Sequence, residues 1–285
     1  MRAMSTEPLA RRDHRVPVAG SPDPASRAPV VVLATPYSGT ERLRSLLDRV
    51  PGLACTSGTG ILPLCEQALA VWGGADGRPG QAPSALAVSS TRSLADIIIT
   101  TVLAQEGKWR WCETCTAMPP VAEAFLRLYP AARFVCLYRS CSDVIRAIVD
   151  ASRWGIASPL LAPFISAHPG STAAALTAYW AAHTEGLLAF ERSHPQAVLR
   201  IRLEDLASAE QQTARAVTSF LGVTGLDVAP GLDGDAMLAH DGQSRPETGS
   251  RRPDTGHPPA DLIPPAVRAR TNGLLRQLDY PALPD

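Results

Sequence analysis

Residues 30–52, VVVLATPYSGTERLRSLLDRVPG, set the architecture. Val30 to Ala34 form an apolar run of the length expected for a strand buried on both faces. Pro36, Ser38 and Gly39 then make a turn. Leu43, Leu46, Leu47 and Val50 recur at helical spacing, and Pro51 and Gly52 end the helix. A strand that passes through a tight loop into a helix brings unpaired N–H donors and the positive end of the helix dipole to the strand's carboxyl end. Ser38, Gly39 and Thr40 occupy that place, and Gly39 lets the backbone approach an anion closely. The loop lacks the G-x-x-x-x-G-K-[ST] pattern, so it is not a Walker A loop.

The same motif recurs further along. ARFVCLYR (132–139) reads as a strand that delivers Arg139 to its end, and SDVIRAIVDASRWG (142–155) as a helix with Ser142 as its N-cap. An arginine there can hold a phosphate through two parallel hydrogen bonds, or can pair with Asp143 at the surface. Helices are predicted at 60–72, 92–106, 120–129, 172–193, 208–223 and 264–280. Further strands are predicted in KWRWCE (108–113) and AVLRIRLEDL (197–206). Residues 73–90 read as a long surface loop and 228–264 as irregular, both rich in Pro and Gly. Strands alternating with helices predict an α/β fold, a central mainly parallel sheet flanked by helices. Ligands bind such sheets at the carboxyl ends of the strands, here the loops at 35–40 and 138–142. Residues 30–34 and 133–138 are expected to be neighbouring parallel strands.

The chain has 285 residues, 45% of them hydrophobic, enough for one large domain over 29–285. Residues 1–28 carry five arginines among Pro and Ser and read as a disordered leader with no signal-peptide core. Formal net charge is zero, which gives no electrostatic basis for nucleic-acid binding and favours a small-molecule partner. No unbroken apolar run approaches the ~18 residues of a membrane span. The six cysteines are expected to be reduced in the cytoplasm. Cys112 and Cys115 form a lone C-x-x-C, and no metal site is expected.

The order of motifs resembles the PAPS-dependent sulfotransferases, which use 3′-phosphoadenosine 5′-phosphosulfate (PAPS), in their bacterial and tyrosyl-protein branch. TPYSGTERLRSLLDRVPGL is similar to that family's 5′-phosphosulfate loop and helix. RFVCLYRSCSDVIRA is similar to its 3′-phosphate strand and helix. Tyr179–Trp180, AVLRIRLEDL and FLGV resemble its later Trp helix, strand and helix end, and GSRRPDTGHP its basic loop over the nucleotide. The resemblance spans residues 29–280. It implies a P-loop-like sulfotransferase fold and PAPS held by Ser38, Gly39, Thr40, Arg139, Arg251 and Arg252. The implied reaction is sulfuryl transfer to a hydroxyl or amine of a small molecule, as in natural-product modification.

Five positions depart from the family pattern. Tyr37 stands for a basic residue, Glu41 for a second Thr, Ala147 for a Ser, Thr114 for a Lys, and Gly58 falls near the usual carboxylate base. Sulfuryl transfer relies on positioning and charge stabilisation, so these changes predict a weakened donor site, Glu41 above all. Tyr37, Glu41 and His183 are the candidate acid–base residues. The same changes suit two alternatives: an enzyme of this fold that performs elimination, cyclisation or acyl transfer without PAPS, or a non-catalytic binding protein. Glu66, Glu113 and the tryptophans 109, 111, 154 and 180 are secondary candidates, Glu113 as a partner of Arg110 and the indoles as core or pocket walls.

Overall fold

The computed structural model describes residues 27–73, 83–116, 119–152, 159–223 and 262–284. Strands β1 (Val30–Ala34), β2 (Leu53–Ser57), β3 (Arg110–Cys115), β4 (Arg133–Tyr138) and β5 (Val198–Arg202) form one sheet in the order β2-β3-β1-β4-β5. Every pairing is parallel. As expected, β1 and β4 are neighbours, with Val30 opposite Arg133 and Ala34 opposite Leu137. The helices are α1 (Thr40–Leu47), α2 (Ile61–Gly73), α3 (Ala85–Glu106), α4 (Pro119–Leu128), α5 (Cys141–Ala151), α6 (Ala162–Ala167), α7 (Thr172–Ser193), α8 (Leu203–Ser208), α9 (Glu210–Leu221) and α10 (Pro265–Gln277).

The alternation of side chains along each strand divides the core in two. Val31, Leu33, Trp111, Phe134 and Cys136 face α2, α3, α4, α5, α7 and α10. Val30, Val32, Cys112, Val135 and Leu137 face α1, α8 and α9. Burial on both faces explains why β1 and β4 are apolar at every position rather than at every second one.

Several elements differ from the sequence expectation. β2 was not foreseen; it is a short edge strand buried only at its start. α3 begins at Ala85, inside the stretch read as loop, with the Ser84 side chain accepting from the Ala87 amide as its cap. The end of AVLRIRLEDL turns into α8 rather than extending β5. The short α6 was also not foreseen. The cap of α5 is Ser140, not Ser142. Ala28, at the edge of the stretch read as leader, is buried, and its carbonyl accepts from Arg110 Nε at 2.7 Å.

α3 corrects the reading of apolar length. It is 22 residues long with a mean hydropathy of 1.4 over its most apolar window, so by length and composition it could cross a membrane. Ser, Thr, Arg92 and Asp96 interrupt its apolar run, which hid it from a search for unbroken stretches. Only the stripe Ala87, Thr91, Ala95 and Ile99 is buried, while Leu86 is 74% and Ile97 63% exposed.

Candidate functional site

The loop from β1 to α1 is built around two residues in the left-handed region. Tyr37 has φ 66° and Gly39 φ 79°. A Cβ on Gly39 would lie 2.7 Å from Leu203 Cδ2, so the position requires glycine for both conformation and space. Gly39 is also the N-cap of α1, and no side chain caps that helix. The Ser38 hydroxyl is buried with no hydrogen-bond partner among the described residues, although its amide donates to the Thr35 carbonyl at 3.1 Å. A buried hydroxyl without a partner costs about 1–3 kcal/mol. An uncapped helix start beside such a hydroxyl offers donors to an anion, although the Arg42 amide already donates to the Gly39 carbonyl at 3.1 Å.

Arg139 comes to this loop from the end of β4. Its Nη1 donates to the Tyr37 carbonyl at 2.8 Å. Its own carbonyl accepts from Trp180 Nε1 at 3.1 Å. Ser38, Gly39, Thr40 and Arg139 are therefore gathered at two adjacent strand ends, as the switch between neighbouring α/β units favours. This donor set fits an anionic nucleotide: the hydroxyl and the α1 start suit one phosphate or sulfate group, and the guanidinium suits a second. Arg251 and Arg252 lie outside the described residues.

Glu41 turns away from the helix mouth. Its carboxylate takes Arg44 Nε at 3.0 Å and Nη2 at 2.9 Å, one turn further along α1, and both side chains are about one-third exposed. A first-turn acid paired in this way complements the helix dipole. In the ligand-free chain the Glu41 carboxylate is thus engaged by Arg44, one turn along its own helix.

Aromatic side chains pack behind the loop from β1 to α1. Tyr37 packs against the core cluster that holds Tyr179 and Trp180 of α7. The Tyr179 ring meets Phe164 edge-on at 5.4 Å and lies 4.4 Å from the His183 ring. α7 runs antiparallel to β4: Trp180 bonds the end of that strand, and Phe190 packs on Phe134 at its start. His183 therefore sits about one helical turn, roughly 6 Å, further along α7 than Tyr179. It is 4% exposed, and burial lowers its pKa to about 4, so the imidazole is neutral near pH 7. Burial also raises the Tyr179 phenol well above its usual range, so it remains a proton donor.

Glu113 does not pair with Arg110. Residues three apart on a strand face opposite ways. Glu113 accepts from Thr56 Oγ1 at 2.5 Å and from the Thr59 amide at 2.9 Å, holding the loop before α2. Arg110, at the opposite end of the sheet, donates to the Ala28 and Leu221 carbonyls. Trp111 is buried and donates to Thr56 Oγ1, Trp109 packs over Gly52, and Glu66 lies on α2. Trp154 lies outside the described residues. Among the described residues no three of His, Cys, Asp and Glu gather as metal ligands would.

Sequence reading missed three residues that brace the site, Leu203, Glu204 and Tyr280. Leu203 fills the space against Gly39. Glu204 accepts from the Ser140 amide at 3.2 Å and from the Tyr280 hydroxyl at 2.6 Å. The available signal was the acidic pair Glu204–Asp205 directly after an apolar strand, a helix-start pattern.

Comparison with known proteins agrees with this fold. Among solved structures, the sulfotransferase domain from the curacin biosynthetic pathway superposes with a TM-score of 0.57 at 15% identity, covering 90% of this chain and 99% of that one. The sulfotransferase domain of the Synechococcus PCC 7002 olefin synthase gives 0.54 at 17% identity, over 90% and 95%. A Mycobacterium avium sulfotransferase gives 0.51 at 13% identity, over 91% and 79%. At these identities the likeness shows a shared fold. A search of the curated proteins finds no match. The sequence profile described as "Sulfotransferase family" matches residues 29–227, more than half of the chain and the whole of the sheet and its cradle, so the protein belongs to the sulfotransferase family and is a transferase.

Proposed function

We propose that the protein transfers a sulfuryl group from PAPS to a hydroxyl or amine of a small molecule in the cytoplasm. The observation that carries this reading is the buried, unpartnered Ser38 hydroxyl at the uncapped start of α1, with Arg139 beside it. Bound PAPS would supply the activated sulfuryl group. The chain's own residues would bind and orient it: Ser38, Gly39 and Thr40 hold the 5′-phosphosulfate end, and Arg139 the 3′-phosphate. Tyr37, with Tyr179 behind it, forms the wall on which an acceptor rests, and burial keeps Tyr179 protonated as a hydrogen-bond donor. His183, the buried acid–base candidate beside Tyr179, is neutral near pH 7, and burial disfavours its protonated form, so it is a weak base there. The six free thiols suit a reducing compartment. Glu41, engaged by Arg44, does not oppose the donor, which favours PAPS use over chemistry without it.

Calorimetry with adenosine 3′,5′-bisphosphate, the desulfated product of PAPS, tests this. The wild type is expected to bind at micromolar affinity. Arg139→Ala removes a charge-assisted pair of roughly 1.5–3 kcal/mol, a loss of about ten- to a hundredfold. A wild type that takes up no nucleotide, with its fold intact, would sink the reading.

A further inference from the structure

The carboxyl-terminal segment reaches the back of the cradle. Tyr280 follows α10 by three residues, is 5% exposed, and donates its hydroxyl to Glu204 Oε2 at 2.6 Å. Arg202 stacks on the Tyr280 ring at 4.6 Å and donates to the Asp279 carbonyl at 3.1 Å. The dipeptide at the start of α8 is thus held from behind. From the front it touches both halves of the site. Leu203 closes on Gly39, and Glu204 Oε1 accepts the amide of Ser140, the residue after Arg139. The backbone at Arg139 is therefore pinned on both sides, by Trp180 on its carbonyl and by Glu204 on the next amide.

We infer that Tyr280 and Glu204 are positioning residues of the nucleotide cradle, setting the places of Arg139 and Gly39 through Ser140 and Leu203. The inference rests on the proposed donor reading for its effect on affinity, but its structural part stands apart from that reading. The chain of contacts is directional. Burial and the Glu204 hydrogen bond keep the Tyr280 phenol protonated, so it donates and Glu204 accepts. A carboxylate that accepts from both sides is fixed in one rotamer. Without the phenol hydroxyl one oxygen loses its partner, and the carboxylate is held by the Ser140 amide alone and can leave that rotamer. The Ser140 amide is then released, and the strand end that carries Arg139 gains freedom. Errors of about 1 Å in such a donor are costly because affinity depends on both anion contacts being made together.

The test uses the full chain and three variants: Tyr280→Phe, Glu204→Ala and Glu204→Gln. Two readouts are taken, the amide resonance of Ser140 without ligand and the affinity for adenosine 3′,5′-bisphosphate. Tyr280→Phe and Glu204→Ala are expected to move the Ser140 resonance and to weaken the nucleotide about tenfold. In turnover they raise KM for PAPS more than they lower kcat. Glu204→Gln can still accept from Ser140 through its carbonyl oxygen, and recovers most of the affinity lost in Glu204→Ala. The inference is overturned if Tyr280→Phe and Glu204→Ala lower only the unfolding temperature, with the Ser140 resonance and the affinity as in wild type. If the wild type binds no nucleotide, the donor reading fails, and the Ser140 resonance alone decides: displacement in both variants supports positioning, and its constancy refutes it.

Discussion

The starts of α1 and α5 follow adjacent strands and occupy similar places, yet they are finished in opposite ways. At α5 the Ser140 hydroxyl accepts from the Asp143 amide at 3.3 Å and meets the Asp143 carboxylate at 2.7 Å, and Glu204 takes the Ser140 amide. Two of its amides, those of Ser140 and Asp143, are thus engaged by side chains. At α1 the cap is a glycine, no side chain closes the helix, and the Ser38 hydroxyl has no partner among the described residues. Both helices are well buried against the sheet, so packing does not explain the contrast. A helix start left unfinished in a protein that finishes its neighbour is where an external anion completes the structure. The α5 start instead contributes the arginine that precedes it and serves as a frame.

The largest effect should come from Gly39. Gly39→Ala places a side chain at φ 79° and directs its Cβ at Leu203. The backbone strain and overpacking together should cost about 2–4 kcal/mol, seen in chemical unfolding, and nucleotide affinity should fall with it. Shortening Leu203 in the same chain should return part of the stability, because it relieves the contact and not the dihedral. An alanine that is tolerated at Gly39 with no loss would show that the loop is not held as tightly as the contrast requires.

The two serines should separate stability from binding. Ser38→Ala removes a buried hydroxyl with no partner in the free protein, so stability should hold or rise by up to about 1 kcal/mol. Affinity for the nucleotide product should nevertheless drop about tenfold, since a hydrogen bond to a charged group is lost. Ser140→Ala should show the reverse emphasis, a loss of about 1 kcal/mol of stability as for any N-cap, with affinity affected less than stability. Thermal unfolding and calorimetry on the two variants read this directly. The same pattern in both would erase the distinction between a binding start and a framing start.

Much of this was legible in the residues. The apolar runs of β1 and β4 gave their burial and adjacency, and SGT after a strand gave the tight loop into α1. Two kinds of information were not local. Glu204 was read as part of a strand because the strand end at Arg202 is set by its stacking on Tyr280, 78 positions away. The choice of Ser140 over Ser142 as cap likewise depends on Glu204 engaging the Ser140 amide. Glu113 shows a different failure: its separation from Arg110 by an odd number of strand positions already placed them on opposite faces, so the signal was present. β2 lacked a signal, because a half-exposed edge strand of five residues ending before Gly58 carries little periodicity.

The smallest effect should come from Glu41, which sequence alone makes the largest. Had its carboxylate faced the anion at ~4 Å, an effective dielectric of ~20 would put ~4 kcal/mol of repulsion into the site, and Glu41→Thr would tighten binding far more than tenfold. The carboxylate instead lies on Arg44, with both groups about one-third exposed. Exposed pairs of this kind contribute about 0.3–0.5 kcal/mol, and the helix dipole adds about 0.3–1 kcal/mol. Glu41→Thr should therefore cost up to about 1 kcal/mol of stability while tightening the nucleotide product only about two- to threefold. The remaining gain should shrink in high salt, because what is removed is a screened surface charge and not a buried repulsion. Calorimetry at two ionic strengths distinguishes the cases. A tightening beyond tenfold that survives salt would mean that the carboxylate swings into the mouth of α1 when ligand arrives. The open start would then be guarded by its own first turn.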